Sequence, residues 1–360
     1  MTQHMYLLQS LIKKTGCMPR FFTCLFYVCI IPYLILFFYD IIYHDINWRE
    51  KMKISIIGLG SVGSAVATAV KNTGLAHEIV LFDRDGIRAR AAAEDLGHAA
   101  AFSYDVKITA VNNYRAIRGS EIVIIAAGAN QKPGETRTDL LHANANVIGD
   151  IVPRVMANVD SKTVKLIIVT NPLDVMVMLA QKLSGLPANR VIGTGTMLDS
   201  ARLRTILARQ LSVSTQSINA YVLGEHGDSS MINWSSACIG GIDLNSFCRQ
   251  TKISLPATTR NTILHRVHNA AYEIIRGRGA TWDGIAGAVA DLIRCIANDE
   301  NRILTVSTVD GVGTKALAMS LPRVVGNHGV VATLMPKMDA TESAALRASG
   351  KIIRKNYNSI

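Results

Sequence analysis

From residue 53 onward the chain repeats one pattern: a short apolar run, a glycine or an acid, then a longer segment of helical character. The runs are KISIIG (53–58), HEIVLFD (77–83), EIVIIAAG (121–128), KLIIVTNP (165–172) and RVIGTGT (190–196). They are rich in Ile and Val and bounded by turn formers, which predicts buried strands. The segments between them have room for helices. Strand alternating with helix predicts a doubly wound parallel α/β sheet, here over 52–195. An α+β region over 196–360 follows. Within it, residues 256–278 read as an amphipathic helix ending before Gly279. His265 and His268 on that helix read as surface or packing residues. Trp234, Trp282 and the methionines read as core.

Residues 1–51 do not share this pattern. They hold 11 of the chain's 21 aromatic residues, and residues 21–39 run for 19 residues without a charge. That length suffices to span a bilayer as a helix. Two readings stand: a membrane anchor, or upstream sequence ahead of a globular body that starts at Met52. The second is favoured, because the change in composition is abrupt and every motif described below lies after Met52. Lys13, Lys14 and Arg20 precede the apolar stretch, and Arg49, Lys51 and Lys53 follow it, so the flanking charges give no orientation.

Composition adds bounds. At 49% hydrophobic and 18% charged, the chain can bury a large core and is not disordered. Lys plus Arg exceed Asp plus Glu by 38 − 27 = 11, a balance suited to anionic ligands. No basic run is interleaved with aromatics, so no nucleic-acid partner is expected. The six cysteines form no CxxC pair. A reducing compartment is expected, and no metal site.

The candidate chemistry begins at Gly58-Leu59-Gly60-Ser61-Val62-Gly63. Alone, GxGxxG is a weak signal; here it follows a strand and opens a helix, the context of a dinucleotide site. Gly58 allows the tight turn, Gly60 the approach of a pyrophosphate and Gly63 the packing of helix on strand. Asp83 ends the second strand 20 residues past Gly63, where an acid would bind the adenosine ribose and favour NAD over NADP. Arg88 lies close behind it. The first domain is therefore expected to be of Rossmann type, with NAD as cofactor. Further along, Asp199 and Arg202 are three residues apart and share a helix face. His226 sits in the glycine-rich bend GEHGDS, open to a cleft. A histidine moves protons at neutral pH, a carboxylate can fix its tautomer, and an arginine can grip a substrate carboxylate with two hydrogen bonds. With a dinucleotide site, this set describes hydride transfer at a hydroxyl-bearing carbon.

GLGSVG, GANQKPGETR, TNPLDV, GTGTMLDSARLR, GEHGDS and GRGATWDGIA together resemble, in order and spacing, the L-lactate and malate dehydrogenase family. The resemblance is closest to its bacterial L-lactate dehydrogenases and covers 52–360. It implies reversible transfer between L-lactate and pyruvate with NAD, malate or a broader range of 2-hydroxy acids being the alternative. It implies His226 as proton donor and acceptor, Asp199 as its partner, and Arg137 as the group that polarises the carbonyl from a closing loop. Arg202 would bind the substrate carboxylate, Asn171 would bridge cofactor and substrate, and Thr281 and Gln131 would line the pocket. Val62, Arg88, Tyr114, Gly128 and Ala129 would lie along the cofactor. The family is usually tetrameric, sometimes dimeric, and cytoplasmic. One departure concerns regulation. Arg204 matches an arginine that binds a sugar bisphosphate in many bacterial relatives, but Asn219 stands where they carry histidine.

Overall fold

The structure, a computed structural model, describes residues 52–129 and 136–360. The apolar stretch 21–39 and Gln131 lie outside the described residues. Six parallel strands are present: β1 (Met52–Ile57), β2 (Ala76–Phe82), β3 (Lys107–Val111), β4 (Ile122–Ile125), β5 (Lys165–Ile168) and β6 (Val191–Gly193). Their order is β6-β5-β4-β1-β2-β3. The crossover helices are α1 (Ser61–Lys71), α2 (Gly86–Ala100), α3 (Arg137–Met156) and α4 (Leu173–Ser184). Strand order reverses between β1 and β4, which opens a ligand crevice beyond the carboxyl ends of the strands.

The continuous apolar runs are explained by burial on both faces. Ile54 and Ile56 of β1 and Ile122 and Ile124 of β4 join one core, with Val66 and Val70 of α1. Their neighbours Ile57, Val123 and Ile125 join the other, with Ile148 and Val152 of α3 and Met176 of α4. Alternate residues point to opposite faces, so helices must cover both.

The second half contributes α5 (Met197–Leu211), the short strands β7 (Ile218–Asn219), β8 (Val222–Leu223), β9 (Met231–Ile232), β10 (Cys238–Ile239) and β11 (Ile242–Asp243), and helix α6 (Leu244–Thr251). Helices α7 (Ala257–Arg278) and α8 (Asp283–Ala297), strands β12 (Arg302–Asp310), β13 (Leu317–Gly326) and β14 (Gly329–Thr333), and α9 (Ala340–Tyr357) complete it. Strands β12 to β14 are antiparallel and extend the first sheet to nine strands through Ser307 of β12, opposite Gly193 of β6. Val289, Leu292 and Ile293 of α8 enter the same core as α1. Among the described residues, no helix is long and apolar enough to cross a membrane.

Two expectations need correction. Trp234 and Trp282 are only partly buried, and each lies under a guanidinium: Arg260 is 5.2 Å from the Trp234 ring centre and Arg278 is 4.1 Å from that of Trp282. Trp234 still packs against the apolar cluster of Leu203, Leu207 and Ile218, and a cation–π contact covers the remaining face of each ring. Met335 is 65% exposed. The strands are also shorter than the apolar runs, because residues beyond Ile125, Ile168 and Gly193 leave the sheet to build the crevice.

Candidate active site

The glycine loop is shaped by close packing. Gly58 has φ +92°, and a Cβ there would lie 2.4 Å from the Ala127 Cα. A Cβ on Gly63 would lie 1.8 Å from the Gly58 carbonyl oxygen. Neither position admits a side chain. Gly60 differs: nothing lies within 4 Å of the space its Cβ would fill. It is also the N-cap of α1, and no side chain caps that helix end. An open face beside an uncapped helix N-terminus suits a pyrophosphate. These residues fit a dinucleotide.

Asp83, buried at the end of β2, accepts the Leu59 N–H on Oδ2 at 2.7 Å and the Asp85 N–H on Oδ1 at 2.9 Å. It therefore ties the glycine loop to β2 besides offering charge near the ribose position. Arg88 Nη1 is 4.0 Å from Oδ2. Val62 is partly buried in the first turn of α1. Tyr114 packs on Phe82 with ring centres 4.3 Å apart, and burial pushes its pKa up to about 12. We expect Asp83→Asn to raise the kcat/KM ratio of NADPH to NADH by about tenfold, roughly 1.4 kcal/mol of relieved repulsion. Steady-state assays with both cofactors check this; an unchanged ratio contradicts it.

Beyond β4 and β5, Gly128, Ala129 and Asn171 lie side by side. Asn144 of α3 joins them: its Oδ1 accepts the Ala129 N–H at 2.6 Å, and its Nδ2 donates to the Asn171 carbonyl at 2.7 Å. Asn144 is only 2% exposed, and sequence reasoning missed it. The available signal was an amide on the apolar face formed by Leu141, Ile148 and Ile151.

The proposed proton-transfer group is assembled from α5 and the 224–230 bend. Asp199 lies in the first turn of α5, where the helix dipole favours a carboxylate. Its Oδ2 lies 2.7 Å from His226 Nδ1, and its Oδ1 accepts Arg202 Nη1 at 2.8 Å. Burial opposes charge on both His226 and Asp199. Their mutual attraction, aided by Arg202 on the aspartate, outweighs it. The imidazole is held above the ordinary histidine pKa and the Asp199 carboxyl below the ordinary aspartate value. The bend is pinned on several sides. Gly224 exchanges both backbone hydrogen bonds with Ser320 of β13, Glu225 N–H donates to Ser349 Oγ at 2.7 Å, and His226 N–H donates to Asp174 Oδ2 at 2.7 Å.

Arg137 begins α3, behind a capping box of Thr136 and Asp139. Its guanidinium reaches Asp228 at 2.6 Å, two residues past His226, and donates to the Tyr272 hydroxyl of α7 at 2.7 Å. It is thus brought to the bend that carries His226. Thr281 lies in the loop between α7 and α8. His268 packs from α7 onto Ser230. Asn219 is exposed on β7, and Arg204 is partly buried on α5.

Asp174, on α4, is the second residue missed. Burial pushes its pKa up to about 6, against hydrogen bonds that favour the charge. Because the folded pKa is raised, the buried charge costs stability as pH rises from about 4 to 6, and the cost is constant above that. Asp174→Asn is therefore expected to be more stable than the native protein above pH 6, by up to about 3 kcal/mol. The advantage should vanish below pH 4. Denaturant unfolding at pH 4 and pH 7.5 checks this; equal gains at both, or none, contradict it.

Comparison with known proteins agrees with this arrangement. The description "lactate/malate dehydrogenase, NAD binding domain" matches residues 52–193, and "lactate/malate dehydrogenase, alpha/beta C-terminal domain" matches 196–360. An L-lactate dehydrogenase of Thermus aquaticus is 46% identical over 305 residues, 84% of this chain and 97% of that protein. One from Allorhizobium ampelinum is 43% identical over the same shares. Among solved structures, a minor L-lactate dehydrogenase from Enterococcus mundtii superposes with a TM-score of 0.82 at 33% identity, covering 86% of this chain and 98% of that one. With both domain descriptions matched in sequence and the relatives aligned along nearly their whole length, the chain belongs to the lactate/malate dehydrogenase family.

Proposed function

We propose that the protein is an NAD-dependent L-lactate dehydrogenase that interconverts pyruvate and L-lactate. The observation that carries this reading is the His226–Asp199–Arg202 group, a buried carboxylate bonded at once to an imidazole and a guanidinium beside a crevice suited to a dinucleotide. Bound NADH supplies the hydride that reduces C2 of the 2-oxo acid. The residues 58–63 and Asp83 hold the cofactor; Val62, Arg88, Tyr114, Gly128 and Ala129 flank it. Arg202 keeps one N–H on Asp199 and turns its remaining donors to the substrate carboxylate. Arg137 leaves Asp228 and Tyr272 to polarise the C2 carbonyl. His226 gives its proton to the forming alkoxide, and Asp199 stabilises the imidazolium beforehand. In the lactate direction the same ring takes the proton back. Asn171 bridges the two ligands, and Thr281 and Gln131 complete the pocket.

The division at 195/196, a homotetramer and a cytoplasmic setting belong to the same reading. Asn219 carries no positive charge, so strong activation by a sugar bisphosphate is not part of it. NADH oxidation with a panel of pyruvate, oxaloacetate and branched 2-oxo acids tests the assignment.

A further inference from the structure

Asp174 is a buried acid that the chemistry above does not use. It lies in the first turn of α4, 2% exposed, amid Leu173, Val175, Met176 and Val177. Its Oδ1 accepts the Ser307 hydroxyl of β12 at 2.6 Å, and its Oδ2 accepts the His226 backbone N–H at 2.7 Å. Both hydrogen bonds could be made by a neutral amide, whose N–H would donate to the Ser307 hydroxyl. The amide would avoid the cost of burying a charge. The charge itself therefore needs a counterpart. The charged groups that face Asp174 are His226 and Glu225 of the bend; Ser307 of β12 is neutral. Those that face His226 are Asp199 and Arg202 of α5, and Asp174. Asp174 holds the main chain of His226 directly, so the ring of that residue, once protonated, is the cation placed to meet its charge.

We propose that Asp174 is a positioning residue for proton transfer: it fixes the main chain of His226 so that the ring meets Asp199, and it places a second negative charge beside the imidazolium. This rests on the reading of His226 as the proton donor and acceptor. The two functions of Asp174 separate by substitution. Asp174→Asn removes the charge and keeps both hydrogen bonds. Asp174→Ala removes the anchor as well. Ser349→Ala releases the same bend at Glu225 while leaving the charge in place.

Removing a negative neighbour lowers a histidine pKa. Pyruvate reduction needs the protonated ring, so its alkaline limb should move to lower pH. In Asp174→Asn the limb of the kcat profile is expected to fall by about half a pH unit or more. The His226 ring, titrated by NMR in the full-length protein, should shift in the same direction. Ser349→Ala should move neither. Asp174→Ala should lose roughly tenfold or more in kcat per NADH-binding site, with a smaller change in the KM for pyruvate, as expected for a misplaced acid. An unmoved limb and ring titration in Asp174→Asn overturn the charge half of the proposal. Native kcat in Asp174→Ala overturns the positioning half. A native protein that does not oxidise NADH with pyruvate would contradict the proposed function instead, and the ring titration, which needs no turnover, would still decide the role of Asp174.

Discussion

Replacing His226 by asparagine is expected to lower kcat for pyruvate reduction by roughly 10²–10⁴-fold while leaving NADH affinity within a few-fold of native. The imidazole is the titratable group bonded to Asp199 at 2.7 Å and only a quarter exposed. Asparagine can still donate to Asp199, so the bend stays anchored through Gly224, Glu225 and the residue 226 amide. It has no proton to give to an alkoxide at neutral pH. The groups proposed to hold the pyrophosphate and ribose, residues 58–63 and Asp83, lie between β1 and α1 and just past β2, on elements other than the bend that carries His226. Stopped-flow reduction together with fluorescence titration of NADH separates the two effects. Turnover near native would make His226 a turn residue only.

Arg202→Lys is expected to reduce kcat/KM for pyruvate by about 10²–10³-fold, though the formal charge is unchanged. The guanidinium must serve two partners at once: Nη1 is already on Asp199 at 2.8 Å, and the substrate carboxylate needs a further pair of donors. A lysine presents one point charge that can face one partner well. Each charge-assisted hydrogen bond lost is worth about 1.5–3 kcal/mol. Two losses fall on the substrate, and Asp199, 7% exposed, loses part of its compensation. KM should rise more than kcat falls. A variant with native KM would place the carboxylate elsewhere.

Much of this was legible along the chain because it is local. The glycine motif is six consecutive residues running from the end of a strand into the first turn of a helix, and two of its glycines are explained by the lack of room for a Cβ, which would lie under 3 Å from neighbouring atoms. Asp199 and Arg202 share a helix face, as their spacing implied; the hydrogen bond between them is what the structure adds. The strand alternation implied a parallel sheet, since Ile- and Val-rich runs with no polar face need cover on both sides; the order of the strands came from the structure. What was not legible is long-range. Asn144 bonds a residue 27 positions away, and Asp174 bonds Ser307 across 133. Nothing in spacing reveals such partners; the only trace is a polar residue in an apolar helix. The extension of the sheet by β12 was hidden for the same reason, because it hangs on a single paired position between Ser307 and Gly193.

The central claim is that the substrate has one carboxylate and not two. Gln131, outside the described residues, is neutral, and we propose that it faces the far end of the substrate. Oxaloacetate would then bring a second carboxylate into a pocket without a cation for it, and an unpaired buried charge costs several kcal/mol. The direct measurement is kcat/KM for pyruvate and for oxaloacetate with NADH on the native protein. This account predicts a preference for pyruvate of about 10³-fold or more; equal values, or a preference for oxaloacetate, would contradict it.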